Sequence, residues 1–531
     1  MNLKRFESLR RYASFYIIIG FNIILFLPFV LSFPGFISDD FLIYKKVIDN
    51  GSIPIILNPR EVFYLFLRPI SFFTFWMDYQ IWGYNSLMMK IVSFALHLAL
   101  IISFYKLLKE VSDFLKIKEN RFVLLLIVLL FSSYPANYYW IVWLSNRTEL
   151  LVALFYCLSF LFYFKFLNQD YDKSKYLILS FTFFCLSILS KQQSYHIPFI
   201  LIILNYLFKE RIIFSKRRWI NKLIILEILI LVPLIFLNLF SQSADASLFI
   251  SSLWKKPFAI IGSLLFIINP YFGEYLYTFF LFHKGAVIFL AVLIFILISI
   301  FYLRYRKKFQ FRDVIAVAVL ILVSYFPRFF TVTGGRINTI QVIIFVVILF
   351  ILRDKLKRNI YYIVVVLLLT TNILTTILFF NVEKRVQKYH KELIEELSSV
   401  ADQNTYILAK YDLNLNKVAV SYELYFIRNG KFGQEEINSS PIAYFDINGF
   451  EFIHKKRRIS YQRNNNFIKI TTIDDKVVLW DQNFYQSSKV VVKDKVKDKS
   501  GRGYSEIKFI IPEKFRNSKM IYYNGERWIV L

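Results

Sequence analysis

SFYIIIGFNIILFLPFVLSF, residues 14–33, is closely followed by Ser38-Asp39-Asp40 and preceded by Lys4, Arg5, Arg10 and Arg11. The run holds no charge, and it is as long as the ~20 residues a helix needs to cross a ~30 Å hydrocarbon core. It is too long for the apolar part of a signal peptide, and no small-residue cleavage site follows it, so a retained signal-anchor helix is expected. Similar runs recur through the first 382 residues. The sequence predicts about eleven spans, at 14–33, 87–108, 121–135, 146–167, 175–190, 195–208, 219–240, 285–303, 312–329, 336–352 and 359–381. Inside lipid only a helix or a closed barrel satisfies its own backbone, so runs of this length read as helices. The composition agrees: 57% of 531 residues are hydrophobic, with 59 Phe and 35 Tyr, too much apolar surface for an ordinary soluble chain.

The formal charge of +28 invites a nucleic-acid reading, which position argues against. Outside the last domain, Lys and Arg gather in short loops between apolar runs: Lys106 to Arg121, Lys209 to Arg218, Arg304 to Lys308 and Arg353 to Arg358. These loops alternate with others poor in cations, the pattern that positive-inside insertion produces. The expected topology has the amino terminus in the cytoplasm, the carboxyl terminus outside, and the chain in a cell (cytoplasmic) membrane. Membrane lipids are expected partners and nucleic acid is not. Cys157 and Cys185 both fall inside apolar runs and read as small hydrophobes, without a disulfide or thiolate metal site.

Two outer loops are long, 34–86 and 241–284, and the first contains an aromatic segment, Pro69 to Trp82, expected to lie as an amphipathic helix at the interface. After Asn381 the character changes. Residues 383–400 mix Glu, Lys, Leu and Ile at helical spacing, and from Thr405 short alternating segments (417–427, 441–447, 467–473, 505–511, 520–530) read as strands. Asn429-Gly430, Asn448-Gly449 and Asn524-Gly525 carry type I′ hairpin chemistry. The expected architecture is therefore an all-α polytopic membrane bundle, residues 1–382, followed by an extracytoplasmic domain, 383–531, with a short helix and then a small β-rich fold. No repeat of helix pairs is visible.

Under the positive-inside topology, several ionisable residues share the outer face: Asp39, Asp40, Arg68, Arg147, Lys191 and Arg336, with Arg328 a further cation. Adjacent carboxylates at a membrane surface can act as a general base or as ligands of a divalent cation. Taken singly, each cation also fits a side chain that snorkels at a helix end. Three lone histidines, His97, His196 and His283, read as hydrogen-bonded packing residues.

The order of the segments carries more than any one of them. Asp39-Asp40 after the first span, Arg68-Pro69, Trp82-Gly83-Tyr84-Asn85, Tyr134-Pro135-Ala136-Asn137, Asn146-Arg147-Thr148-Glu149 and Ser190-Lys191-Gln192 follow one another along the topology. This series resembles the GT-C superfamily of polyprenyl-phosphate-sugar-dependent glycosyltransferases, in particular the transmembrane O-mannosyltransferase branch and its bacterial relatives. The resemblance covers residues 10–210 and, loosely, 320–355. Gly334-Gly335-Arg336-Ile337 stands where the family has a late Arg-Tyr pattern, and the carboxyl-terminal domain is not the helical-repeat array of the eukaryotic branch.

The resemblance implies a GT-C-like catalytic domain that transfers a sugar, with inversion, from a polyprenyl-phosphate donor to an acceptor hydroxyl on a lipid, glycan or protein. A lipid phosphate is already a good leaving group, so the reaction needs a base for the hydroxyl and cations for the departing phosphate. Asp39, or Asp40, is the expected base, with Arg68, Arg147, Lys191 and Arg336 as the phosphate-binding cations. A divalent cation at the acidic pair is left open, and no organic cofactor is expected. Two other readings compete: a glycan polymerase or ligase fed by lipid diphosphates, and a transporter or flippase with an external domain. Transporters place ionisable groups near the bilayer midplane, where Glu227 is the exception in this chain.

Overall fold

A computed structural model describes residues 3–32, 40, 68–83, 85–117, 120–169, 174–241, 319–320, 323–324, 339–354 and 356–400, together with nine short strands beyond them. The chain divides into two compact units, one of residues 1–35 with 47–382 and the other of 36–46 with 383–531.

The first unit is helical. Its described helices are α1 (Leu3–Ser32), α2 (Pro69–Trp82), α3 (Ser86–Leu115), α4 (Arg121–Ser132), α5 (Asn137–Val142), α6 (Arg147–Asn168), α7 (Ser174–Ser190), α8 (Ile197–Leu207), α9 (Phe214–Ser241), α10 (Thr339–Leu352) and α11 (Arg358–Val400). Among the described residues, four segments are long and apolar enough to cross a membrane: Ala13–Ser32, Ser86–Leu115, Leu144–Asn168 and Arg358–Leu378. Their outward side chains are apolar as well; Ile24 is 78% exposed, Ile363 65% and Leu378 67%. Water would penalise such a surface, and lipid does not. The protein is a membrane protein with transmembrane helices.

Several expected boundaries move for identifiable reasons. The span expected at 87–108 continues to Leu115, because Lys106, Lys109 and Glu110 are good helix formers. The span expected at 121–135 ends at Ser132. There Asn137 Nδ2 donates to the carbonyls of Phe131 (3.0 Å) and Ser132 (2.8 Å), capping the helix end, and Pro135 has no N–H with which to continue. The segment expected as one helix at 195–208 opens with a 3₁₀ turn, Gln192–His196, before α8. The helix expected to end at 381 runs on to Val400. The spans expected at 285–303 and, for the most part, 312–329 lie outside the described residues.

α6 is the centre of the packing, flanked by α3 and α7. Serines fasten it to α7: Ser159 and Ser180 exchange hydroxyl-to-carbonyl bonds of 2.9 Å, and Ser187 Oγ donates to the carbonyl of Val152 at 3.1 Å. Small polar residues let helices approach closely and bond across an apolar interior, where helix-on-helix attraction is otherwise only dispersion. At the carboxyl end of α6, Lys216 Nζ donates to the carbonyls of Leu167 (3.0 Å) and Gln169. Arg211 Nη1 donates to Leu115 O at the end of α3 (3.0 Å), so a basic loop satisfies carbonyls that helix ends leave open. With 22 residues, α6 carries the chain roughly 33 Å from this basic end to its amino-terminal end.

α2 forms over the residues expected, Pro69 opening it and Gly83 closing it. Gly83 sits at φ +58°, ψ −126°, a conformation that a Cβ disfavours, and its N–H returns to Tyr79 O at 2.8 Å. The helix is not amphipathic in the expected sense. Its polar residues Ser71 and Asp78 point inward, whereas Phe73, Met77 and Ile81 point outward, the arrangement that suits a helix wrapped by lipid. Fourteen residues, ~21 Å, are too few to cross the membrane.

In the second unit the described strands form two sheets. One has the order β5-β2-β1-β8-β9 and the other β3-β4-β7-β6, from β1 (Tyr406–Lys410), β2 (Ile442–Ile447), β3 (Ile459–Asn464), β4 (Phe467–Ile473), β5 (Val477–Val478), β6 (Val490–Lys497), β7 (Gly503–Ile510), β8 (Met520–Tyr523) and β9 (Trp528–Val530). β2 and β8 both run parallel to β1, and β2 and β3 belong to different sheets; Asn448-Gly449, between them in sequence, lies outside the described residues. β8 and β9, flanking Asn524-Gly525, do pair antiparallel. The strand expected at 417–427 and the turn at Asn429-Gly430 lie outside the described residues.

Candidate functional site

The amino-terminal end of α6 collects ionisable side chains from three separate stretches of sequence. Asn146-Arg147-Thr148-Glu149 starts there, after a short 3₁₀ turn, Leu144–Asn146. Arg147 and Glu149 are two positions apart, about 200° around a helix, so they face different neighbours.

Arg147 faces α2 and α3 and is fully buried. Its Nη1 lies 2.5 Å from Asp78 Oδ2, its Nε donates to Ser93 Oγ (2.9 Å), and its Nη2 donates to the carbonyl of Met89 (2.6 Å). The guanidinium also stands 5.4 Å from the centre of the Phe75 ring. Each of its three nitrogens thus holds a protein partner, and the residue ties α2, α3 and α6 together. Burial raises the Asp78 carboxyl above its ordinary value, while Arg147 pulls it back.

Glu149 faces the other way, toward the loop between α7 and α8. Its Oε1 accepts from Lys191 Nζ and from Gln193 Nε2 (3.1 Å). Arg68, the residue before α2, belongs to the same group. Burial draws its guanidinium below the ordinary value, and the Glu149 carboxylate and then the Tyr195 hydroxyl oppose that shift. Ser71 Oγ donates to Ser190 O at 3.0 Å, which fixes the first turn of α2 against the residue before Lys191. Lys191 is the part of its ion pair that reaches the surface, with 13% of its side chain exposed against 1% for Glu149.

Of the cations expected from sequence, Lys191 pairs with Glu149, and the Ser71–Ser190 bond brings Arg68, three residues before Ser71, to the same end of α6. Arg147 lies on the opposite side of α6, in a buried ion pair. Asp39 and Arg336, like Arg328, are outside the described residues. Asp40 is buried and belongs to the second unit. Asp78, Gln193 and Ser71 were not singled out in advance. An acidic residue inside an otherwise apolar aromatic helix was the available signal for Asp78. Gln193 and Ser71 have no such mark.

His97 is a packing residue in this structure: its Nε2 lies 3.0 Å from Asn22 Oδ1, and Phe26 stands edge-on to it at 5.2 Å. Among the described residues, no three of His, Cys, Asp and Glu group together as a metal site. The chain matches no protein-family model, no curated protein and no solved structure.

Proposed function

We propose that the protein is a membrane glycosyltransferase that moves a sugar from a polyprenyl-phosphate donor to an acceptor hydroxyl at the outer face of a cell membrane, with inversion. The observation that carries this reading is the Lys191–Glu149 pair at one end of α6, to which the Ser71–Ser190 bond brings Arg68 from a separate stretch of chain. Two cations at this end of α6 would hold a phosphate, which would share the charge that Glu149 now takes from Lys191. The opposite end of α6, ~33 Å away, is bound by Lys216 from the basic first turn of α9, which agrees with a cytoplasmic basic side and an outer site.

In this reading the lipid tail stays in the bilayer beside the apolar outer face of α2. Arg68 and Lys191 hold the phosphate as charge builds on it, and Asp39, directly after the first span, takes the acceptor proton. The full reading includes a GT-C-like bundle of about eleven spans, a cytoplasmic amino terminus, and an extracytoplasmic β-rich domain over 383–531 that contacts acceptor or envelope. A divalent cation at Asp39 and Asp40, completed by substrate phosphate, belongs to the same reading.

The test uses full-length purified protein with a polyprenyl-monophosphate hexose and, separately, a polyprenyl-diphosphate oligosaccharide. The monophosphate donor is expected to be consumed. Lys191→Ala is expected to lower kcat/KM by ~10²–10³, the loss typical of one transition-state charge contact, and Asp39→Asn to abolish transfer in a folded protein. Wild-type rates in Asp39→Asn would remove the assigned base. Turnover of the diphosphate donor alone would favour a polymerase or ligase.

One observation favours a transporter as the second reading: Glu227, within α9, is fully buried and neither carboxyl oxygen has a hydrogen-bond partner.

A further inference from the structure

The polar group at the head of α6 contains more hydrogen-bonding capacity than the protein uses. Glu149 spends Oε1 on Lys191 and Gln193, while its Oε2 is buried without a partner among the described residues, as are the other atoms named next. Gln193 spends its Nε2 on Glu149 and leaves Oε1 buried and unpartnered. His196 Nε2 and Asn146 Nδ2 are buried and unpartnered as well. The residues that carry these atoms are paired along the chain. Asn146 and Glu149 are three residues apart across the start of α6, and Gln193 and His196 are three apart in a 3₁₀ turn, where such positions eclipse. The Glu149–Gln193 bond joins the two pairs, and Tyr156 flanks His196 with ring centres 5.7 Å apart.

Buried polar atoms left unmade are costly and uncommon, and the chemistry of this set restricts what meets them. An apolar group satisfies none of them. An anion would face Glu149 Oε2 and Gln193 Oε1. A metal cation would face the Asn146 amide N–H₂ and the ammonium of Lys191 on the other carboxylate oxygen. A hydroxyl both donates and accepts, so several hydroxyls on one rigid ring can serve carboxylate, amide oxygen, amide nitrogen and imidazole together.

We propose that Asn146, Glu149, Gln193 and His196 form the subsite for the hydroxyl groups of the transferred sugar. The proposal rests on the reading above, in which Arg68 and Lys191 hold the phosphate. The sugar of a glycosyl phosphate begins one bond beyond the phosphate oxygen, and Glu149 and Gln193 stand directly beside Lys191. Sugar selectivity then resides in the Gln192–His196 turn and the first turn of α6.

The experiment measures binding of two probes to the full-length protein in detergent: a polyprenyl-monophosphate hexose and the bare polyprenyl monophosphate. The wild type is expected to bind the hexose-bearing lipid at least tenfold more tightly than the bare one. Gln193→Leu and His196→Phe are each expected to cut that advantage by about tenfold, the value of a neutral hydrogen bond at the upper end of its range. Both variants should hold the bare lipid within about threefold of wild type, which also reports that they are folded. Arg68→Ala should weaken both lipids. An equal affinity of the wild type for the two probes overturns the subsite and leaves the phosphate reading standing. So does an undiminished hexose preference in both variants. Failure of the wild type to bind either lipid removes the glycosyltransferase reading and this inference with it.

Discussion

Arg147→Met removes a guanidinium that is wholly buried and leaves a side chain of similar length. Asp78 is 4% exposed, and its Oδ2 takes the Arg147 bond at 2.5 Å. Breaking a buried ion pair from one side costs about 3–5 kcal/mol, because the remaining charge has neither water nor partner. Two effects reduce that figure. Ser93 Oγ already lies 3.3 Å from Met89 O, so the two groups that Arg147 leaves can bond to each other. The methionine also buries apolar surface, worth ~1 kcal/mol. A net loss of ~3 kcal/mol is expected, about two orders of magnitude in the folding equilibrium. Cys157 is wholly buried in α6, so a thiol-reactive fluorophore reports when that helix opens on heating. The midpoint should fall by roughly 5–10 °C. Asp78→Asn in the same chain should restore more than half of the loss, since it removes the stranded charge. Acid should act in the same direction. The folded-state value of the Asp78 carboxyl is raised by burial, so the stability this group contributes is greatest below its ordinary value of 3.8 and is lost as pH rises through its folded value. The deficit of Arg147→Met should accordingly shrink as pH falls. A coupling between positions 78 and 147 below ~0.5 kcal/mol would refute the reasoning.

Two further substitutions test the interior of the bundle by the same thermal assay. Glu227→Leu replaces a buried carboxyl without partners among the described residues by a side chain of similar bulk and should stabilise the protein by ~1–3 kcal/mol while leaving the proposed sugar transfer intact; loss of that transfer would mark the carboxyl as functional. Asn22 donates to Ile18 O (2.8 Å) and meets His97 Nε2 through its Oδ1 (3.0 Å), so Asn22→Leu should cost ~1–3 kcal/mol. Replacing both Asn22 and His97 by apolar residues should cost clearly less, and equal losses would show that the pair is not the reason.

Much of the helical architecture was legible because a span is a local property. Residues 14–33 and 146–167 carry enough consecutive apolar side chains to require a helix whatever surrounds them, and α1 and α6 follow. Where an end depends on a distant or later group, the sequence was a poorer guide. The stop at Ser132 is made by the Asn137 amide reaching back over a turn, and the 3₁₀ opening of α8 brings Gln193 to Glu149. The direction of α2 was misjudged for a related reason. The sequence reads this segment as an amphipathic helix at the interface, but the bundle offers Ser190 O and Arg147 as partners, and Ser71 and Asp78 turn inward to meet them.

The same division holds at the candidate site. From sequence alone came the membrane, the helices and a set of charges at their ends, because hydrophobic length and the placement of Lys and Arg act over one segment at a time. Which charge meets which was decided by tertiary structure. Arg147 and Lys191 look alike as cations at helix ends, yet one is enclosed by Asp78, Ser93 and Met89, and the other reaches the surface beside Glu149. On α6 a two-residue step separates Arg147 from Glu149, the partner of Lys191. Ion pairs and hydrogen bonds act over a few ångströms between residues 69 or 119 positions apart in the chain, and only packed helices supply that proximity.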